Sequence, residues 1–256
     1  TNTVIGRIKL NTTIQEQETQ PAETITTTEY KVDKTVEKTW DHTNNIYGNP
    51  TRVILQIKNG ESIVREQQVG EADNWSYTFT NLPKYDVNGN EIDYTAGEKE
   101  VSEGELSYYK SEVNGLTIKN TYNGPIISAS KEITTDNGLG YVVQGEKITY
   151  TVRVENTGGV EKDVLVQDSI PTGTTFVEGS IKINDEKTSK TMAELTTGIT
   201  VNVPAKSNAT VSFEVTVNNL TQEELAENTA REITNTATVD GKITNEILRR
   251  QIDINT

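Results

Sequence analysis

The sequence predicts an all-β chain of two tandem β-sandwiches, and three observations carry that expectation. Apolar and polar residues alternate in strand-sized runs. Ile148, Tyr150, Val152 and Val154 alternate with Thr149, Thr151 and Arg153; Trp75, Tyr77 and Phe79 alternate with Ser76 and Thr78; Val211, Phe213, Val215 and Val217 repeat the pattern. Period two with one apolar face marks a half-buried antiparallel strand. Turn dipeptides interrupt these runs at Asn59-Gly60, Asn88-Gly89, Asn114-Gly115, Asn123-Gly124, Asn137-Gly138 and Asp240-Gly241. Finally, the 256 residues are only 32% hydrophobic yet include 40 Thr, which suits thin sandwiches better than one thick core.

The same composition excludes several classes of function. With no Cys there is no disulfide framework, zinc–thiolate site or thiol nucleophile, and one His cannot build a histidine metal site. A net charge of -14 argues against a nucleic-acid partner, and no cofactor is implied. No apolar run reaches the ~18 residues of a membrane span. No signal peptide opens the chain, so an exported protein would be met here as a mature fragment.

Along the chain, residues 1–30 are weakly patterned and rich in Thr, Glu and Gln; they read as the tail of a preceding unit and a linker. Thr1-Asn2-Thr3-Val4-Ile5 echoes Thr244-Asn245-Glu246-Ile247-Leu248, as would happen if an array were cut at equivalent points. Residues 31–123 form a first strand-rich domain and residues 124–256 a second. One short helix is expected at 222–228, with Thr221 as its cap and Glu224 completing a capping box.

Strand parity singles out polar residues on apolar faces. In the first domain Lys38 shares a face with Val36 and Trp40; Glu98 with Ile92, Tyr94 and Ala96; Asn120 with Leu116, Ile118 and Tyr122. In the second, Lys131 lies with Ile127, Ala129 and Ile133; Asp168 with Val164, Val166 and Ile170; Asn235 with Ile233, Ala237 and Val239. A lone buried charge costs several kcal/mol unless it is paired or neutralised, so each inward Lys demands an inward partner. Burial lowers a Lys pKa and raises a carboxyl pKa. A neutral amine is a nucleophile, and a protonated carboxyl can polarise an Asn carboxamide and relay protons. Held together, amine, acid and carboxamide can form an amide bond and release ammonia. Two blander readings remain: strand ends that reach solvent, and a buried ion pair with a hydrogen-bonded Asn but no covalent bond.

Lys38-Thr-Trp40, Trp75-Ser-Tyr-Thr-Phe79, Asn81-Leu-Pro-Lys-Tyr-Asp86, Gly89, Tyr94-Thr-Ala-Gly-Glu98 and Thr117-Ile-Lys-Asn120-Thr-Tyr122 together resemble a Cna B-type domain of Gram-positive surface proteins. That resemblance implies a bond from Lys38 to Asn120, with Glu98 as proton shuttle. Gly145-Glu-Lys-Ile-Thr-Tyr150, Asn156-Thr-Gly158, Val166-Gln-Asp168-Ser-Ile-Pro171 and Ile233-Thr-Asn235-Thr-Ala-Thr-Val239 resemble the isopeptide-forming repeat domain of adhesins and pilins. There the implied bond joins Lys131 to Asn235, helped by Asp168. Together the resemblances imply immunoglobulin-like sandwiches in the stalk of a cell-wall-anchored adhesin or pilus, outside the cell. The implied partners are neighbouring domains of the same surface protein, with a host extracellular matrix protein as partner if the chain is instead a binding module. The reaction would be self-crosslinking, not enzymatic turnover.

Other candidates read as structure. Asp86, Asn88, Asn90 and Glu91 suggest a calcium loop, but Gly89 stands fourth where the EF-hand pattern needs glycine sixth, so a hairpin turn is expected and no metal. His42 is expected to be a solvated loop residue. Glu223-Glu224 and Glu98/Glu100 show no shared cleft for glycosidase chemistry.

Overall fold

The structure is a computed structural model that describes residues 8–10, 13–15, 30–226 and 230–253. In chain order the strands of the N-terminal half are β1 (Ile8–Leu10), β2 (Thr13–Gln15), β3 (Lys31–Asp41), β4 (Arg52–Asn59), β5 (Ser62–Gly70), β6 (Ser76–Pro83), β7 (Tyr94–Lys99), β8 (Tyr109–Asn114) and β9 (Thr117–Tyr122). Then come β10 (Ile127–Thr135), β11 (Tyr141–Val142), β12 (Lys147–Asn156), β13 (Lys162–Asp168), β14 (Thr174–Phe176), β15 (Lys182–Ile183) and β16 (Glu186–Lys187). The helix α1 (Met192–Thr197) precedes β17 (Ile199–Val203) and β18 (Ser207–Val217), and α2 (Gln222–Ala226) precedes β19 (Arg231–Asn235), β20 (Ala237–Val239), β21 (Lys242–Ile243) and β22 (Ile247–Gln251). The chain is all-β, as its alternation predicts.

Strands β6-β3-β9-β8 form one sheet and β5-β4-β7 another. Further on, β10-β12-β18-β15-β16 line up with β14 beside β18, and β11-β22-β19 and β17-β13-β20-β21 form two more sheets. By compactness the chain divides into two units. One comprises Thr1–Glu37, Ile54–Lys99 and Val113–Ile118; the other comprises Lys38–Val53, Glu100–Glu112 and Lys119–Thr256. The first buries Val36, Leu55, Ile57, Phe79, Leu82, Tyr94, Ala96 and Ile118. The second has one continuous core, in which Ile148, Tyr150, Val152, Val211, Phe213 and Val215 of β12 and β18 meet Val164, Val166, Ile199, Val201 and Ile233 of the facing sheets. Period-two strands bury alternate residues, so each sheet contributes one apolar face and a two-layer sandwich results.

Local chemistry sets the connections. Asp240 and Gly241 both take positive φ, 48° and 76°, which is what the two-residue turn between β20 and β21 requires. Asn123-Gly124, read from sequence as a turn, is a close-packed crossing instead: a Cβ on Gly158 would lie 2.0 Å from the Gly124 carbonyl oxygen. The capping box at Thr221 is present, with Glu224 N–H donating to Thr221 Oγ1 at 3.2 Å and Thr221 N–H to Glu224 Oε2 at 2.7 Å. Helix α1 carries the same signature at Thr191 and Glu194, and sequence reading overlooked it.

Two expectations are corrected. Trp75 does not belong to its strand: it takes φ 55° and β6 begins at Ser76. Of Trp75, Tyr77 and Phe79 only Phe79 is buried, and Leu82 is the next buried residue. The parity shifts because Asn81 takes φ 57° and the β3–β6 register slips between Val32 and Lys34, a bulge that strict alternation does not foresee. Nor is His42 solvated. It is partly buried, stacks on Trp40 with centroids 5.4 Å apart, and its Nδ1 lies 2.6 Å from the Tyr109 hydroxyl. In the N-terminal segment, β1 pairs with β2; the echoing residues 1–5 lie outside the described residues.

Candidate functional site

The second triad lies wholly in the larger unit. Lys131 is on β10, Asp168 is the last residue of β13 and Asn235 the last of β19. Each points inward because its strand neighbours at i±2 are core residues. Lys131 and Asp168 have fully buried side chains, and the Lys131 ammonium donates to Asp168 Oδ2. Register brings the carboxylate close to the third member: Asp168 stands opposite Ala237, two residues after Asn235. The Asn235 amide favours the charged form of Asp168, although its Nδ2 sits outside hydrogen-bonding geometry.

Aromatic rings floor this site. Lys131 Nζ lies 4.9 Å from the centroid of Tyr150 and 5.6 Å from that of Phe213, cross-strand partners on β12 and β18. Desolvation dominates the electrostatics. It pushes the Lys131 pKa down against the pull of Asp168, and pushes the Asp168 pKa up against Lys131, the Ser169 N–H at 2.8 Å and Asn235. Both shifts favour the neutral amine beside the protonated acid, which has the same proton count as the ion pair. The Tyr150 hydroxyl is buried with no hydrogen-bond partner among the described residues, and burial raises its pKa.

In the first triad, Lys38 on β3 and Asn120 on β9 occupy neighbouring strands of one sheet and are both buried. Lys38 Nζ lies 4.2 Å from the Trp40 ring centroid. Tyr109 packs edge-on against Trp40 at 5.2 Å and against Tyr122 at 5.9 Å, so an aromatic wall screens this face from water. Neither polar atom of the Asn120 carboxamide has a hydrogen-bond partner among the described residues, although the residue is fully buried. Glu98 lies on β7, in the smaller unit, with both carboxylate oxygens shut off from solvent. Parity therefore brings all six residues or their polar ends inside, as the sequence predicts.

The remaining polar candidates are absorbed by structure. The Asp86 carboxylate accepts the N–H groups of Asn88 and Asn90, both at 2.8 Å, which builds a turn. Glu224 is held by the Arg231 guanidinium, and Glu100 accepts from the Leu106 N–H at 3.2 Å. Sequence reading missed two buried polar residues of the larger unit that hold loops in place. Glu146 accepts from Asn137 N–H, Asn137 Nδ2 and Val143 N–H, all within 3.0 Å. Asn156 uses both ends of its amide, accepting from Ile126 and Gly158 N–H and donating to the Val160 and Val203 carbonyls. Both stand in the motifs Gly145-Glu146 and Asn156-Thr-Gly158, the only sequence signal for them.

Residues 34–121 match the family described as the Cna protein B-type domain. A segment of 158 residues, 60% of this chain, is 33% identical to the collagen adhesin of Staphylococcus aureus. The chain spans 12% of that relative's length. Among solved structures, a single B repeat unit of the collagen-binding surface protein of Staphylococcus aureus aligns over 87% of this chain and 98% of its own, with 17% identity and a TM-score of 0.32. The major pilin subunit of Bacillus cereus aligns over 87% of this chain and 69% of its own, with 13% identity and a TM-score of 0.33.

Proposed function

We propose that this chain is a stalk module of a Gram-positive surface adhesin or pilus, with domains at 31–123 and 124–256, stapled by Lys38–Asn120 and Lys131–Asn235 isopeptide bonds. The observation that carries the reading is the dry Lys131–Asp168 pair beside Asn235, a costly arrangement for stability alone. In this reading Asp168 takes a proton from the Lys131 ammonium. The neutral amine attacks the Asn235 carboxamide carbon, whose oxygen the protonated Asp168 polarises. The C–N bond to the amide nitrogen breaks, the nitrogen takes up protons through Asp168, and ammonia leaves. One amide replaces another and no oxidant is needed. Lys38, Asn120 and Glu98 have the matching roles in the first domain. Each bond forms once, within its own chain, so the protein is not a turnover enzyme.

The crosslinks suit a stalk. They close loops of roughly 80 and 100 residues, and by analogy with disulfides each would stabilise by ~4–5 kcal/mol. End-to-end force would pass through covalent bonds between early and late strands of each domain. An amide also survives reducing conditions that cleave disulfides. Intact mass under denaturing conditions tests the reading: two bonds lower the mass by two ammonia, and an unchanged sequence mass overturns it. Glu98→Ala should restore one ammonia and Asp168→Ala the other.

A binding role is favoured by one observation, a cleft of about 520 Å³ lined by Asn45, Tyr47, Asn49, Tyr108 and Tyr109, whose rings and amides suit a polar ligand. Saturable binding of a host matrix protein such as collagen, lost on Tyr47→Ala, would establish it beside the stalk role.

A further inference from the structure

Lys131 lies on β10, which among the described residues pairs with β12 alone and is an edge strand of its sheet. An edge strand presents unpaired N–H and C=O groups on its outer side and can shift against its neighbours. At Lys131 those groups are taken by one side chain. Lys131 N–H donates to Asn245 Oδ1 at 2.8 Å, and Asn245 Nδ2 donates to the Lys131 carbonyl at 2.9 Å. An amide gripping both main-chain groups of one residue imitates the missing neighbouring strand.

The residue before it ties in the other two members. Thr244 N–H donates to the Ala237 carbonyl at 2.9 Å, and Ala237 N–H donates to Thr244 Oγ1 at 3.0 Å. Ala237 is the cross-strand partner of Asp168, and Ile247, just beyond, is the partner of Asn235. One short stretch of chain, Thr244 to Ile247, thus grips the backbone of Lys131, bonds to Ala237 opposite Asp168, and pairs with Asn235.

We infer that Asn245 is a positioning residue for the Lys131–Asn235 crosslink: it fixes β10 so that the Lys131 amine meets Asp168 and the Asn235 carbonyl. The inference rests on the crosslinking reading and adds a residue that takes no part in proton transfer. Amide formation needs the reacting atoms held within a few tenths of an ångström of an attack geometry, and a misplacement of about 1 Å can cost about a hundredfold in rate. Asn245 itself is exposed, so replacing it removes the grip without opening a cavity in the core.

The test uses the full chain, newly made by cell-free synthesis and sampled over time as it folds, with crosslinking followed by intact mass and by the Lys131–Asn235 branched peptide after proteolysis. Asn245→Ala is expected to slow that crosslink by about tenfold or more, for the two hydrogen bonds lost. The Lys38–Asn120 crosslink should form at its wild-type rate, and the pH profile of the slowed reaction should match wild type because Asp168 is untouched. A wild-type rate in Asn245→Ala, or equal slowing of both crosslinks, overturns the inference. Should Asn245→Ala not fold, Asn245→Asp decides. Its carboxylate accepts from Lys131 N–H but cannot donate to the carbonyl, so it should react more slowly than wild type and gain on it as acid protonates the new group near pH ~4; no such gain overturns the inference. A wild-type chain that loses no ammonia fails the crosslinking reading itself, which separates the two failures.

Discussion

Asn156 and Asn235 are both buried asparagines on strands of one sandwich, yet their amides are treated in opposite ways. Asn156 receives two N–H groups and donates to two carbonyls, so its hydrogen-bonding capacity is filled. Asn235 leaves its Nδ2 unbonded beside a buried acid and amine, and Asn120 leaves both its polar atoms unbonded among the described residues. A saturated buried amide holds backbone together, whereas an unsaturated one costs stability and is available to react. The contrast separates structural from reactive asparagines where residue type and burial do not.

The largest effect that tests this contrast is expected from Asp168→Ala. It removes the crosslink, worth ~4–5 kcal/mol in the disulfide analogy, and strands the Lys131 ammonium in the core, at a further cost of ~3–5 kcal/mol. Denaturant unfolding should place it well below Asn235→Ala, which loses the crosslink but keeps the ion pair. Equal stability of the two variants would show that the buried pair carries no energetic penalty. Asn156→Ala should cost ~2–4 kcal/mol by leaving main-chain groups without partners, while the chain still loses both ammonia. Failure to crosslink in that variant would blur the distinction between the two asparagines.

The rate of the Lys131–Asn235 crosslink should follow a bell in pH. Lys131 and Asp168 share one reactive proton, whether drawn as an ion pair or as neutral amine and acid. Adding a proton in acid gives ammonium beside carboxylic acid and removes the nucleophile; removing one in alkali leaves amine beside carboxylate and removes the acid. Because burial lowers the Lys131 pKa and raises that of Asp168, both limbs should lie inward of free Lys and Asp values. A monotonic rise with pH would mean that Asp168 is not needed as an acid.

The smallest effect concerns a carboxylate in the opposite condition. Glu224 is bonded chiefly by Arg231 and also by Thr221 N–H, which bring its pKa from 4.5 down to about 2. A depressed carboxyl pKa stabilises above the unfolded value and loses that contribution as pH falls. The tether should therefore be intact above pH 4.5 and released towards pH 2, read as the Glu224 side-chain titration by NMR. A midpoint near 4.5 would show that the ion pair does not form in solution.

Much of this was legible in the sequence. Strand parity brought Lys38, Asn120, Lys131, Asp168 and Asn235 inside because side-chain direction alternates residue by residue and needs no knowledge of the partner strand. The Thr221–Glu224 capping box was equally local. Parity failed at Trp75, whose positive φ keeps it out of the strand, and again past Phe79, where the irregularity at Asn81 reset the alternation; composition failed at His42, whose Trp40 and Tyr109 neighbours come from folding.

What the chain determined by itself, then, was which residues turn inward, since that follows from backbone geometry within each strand. Only the tertiary structure decided which inward groups find partners. Asn156 reaches Val203 across 47 residues, and Asn245 reaches Lys131 across 114. Whether a buried amide is satisfied depends on groups that far away, because hydrogen bonds need contact within about 3 Å and only the packed sheets bring such residues so close.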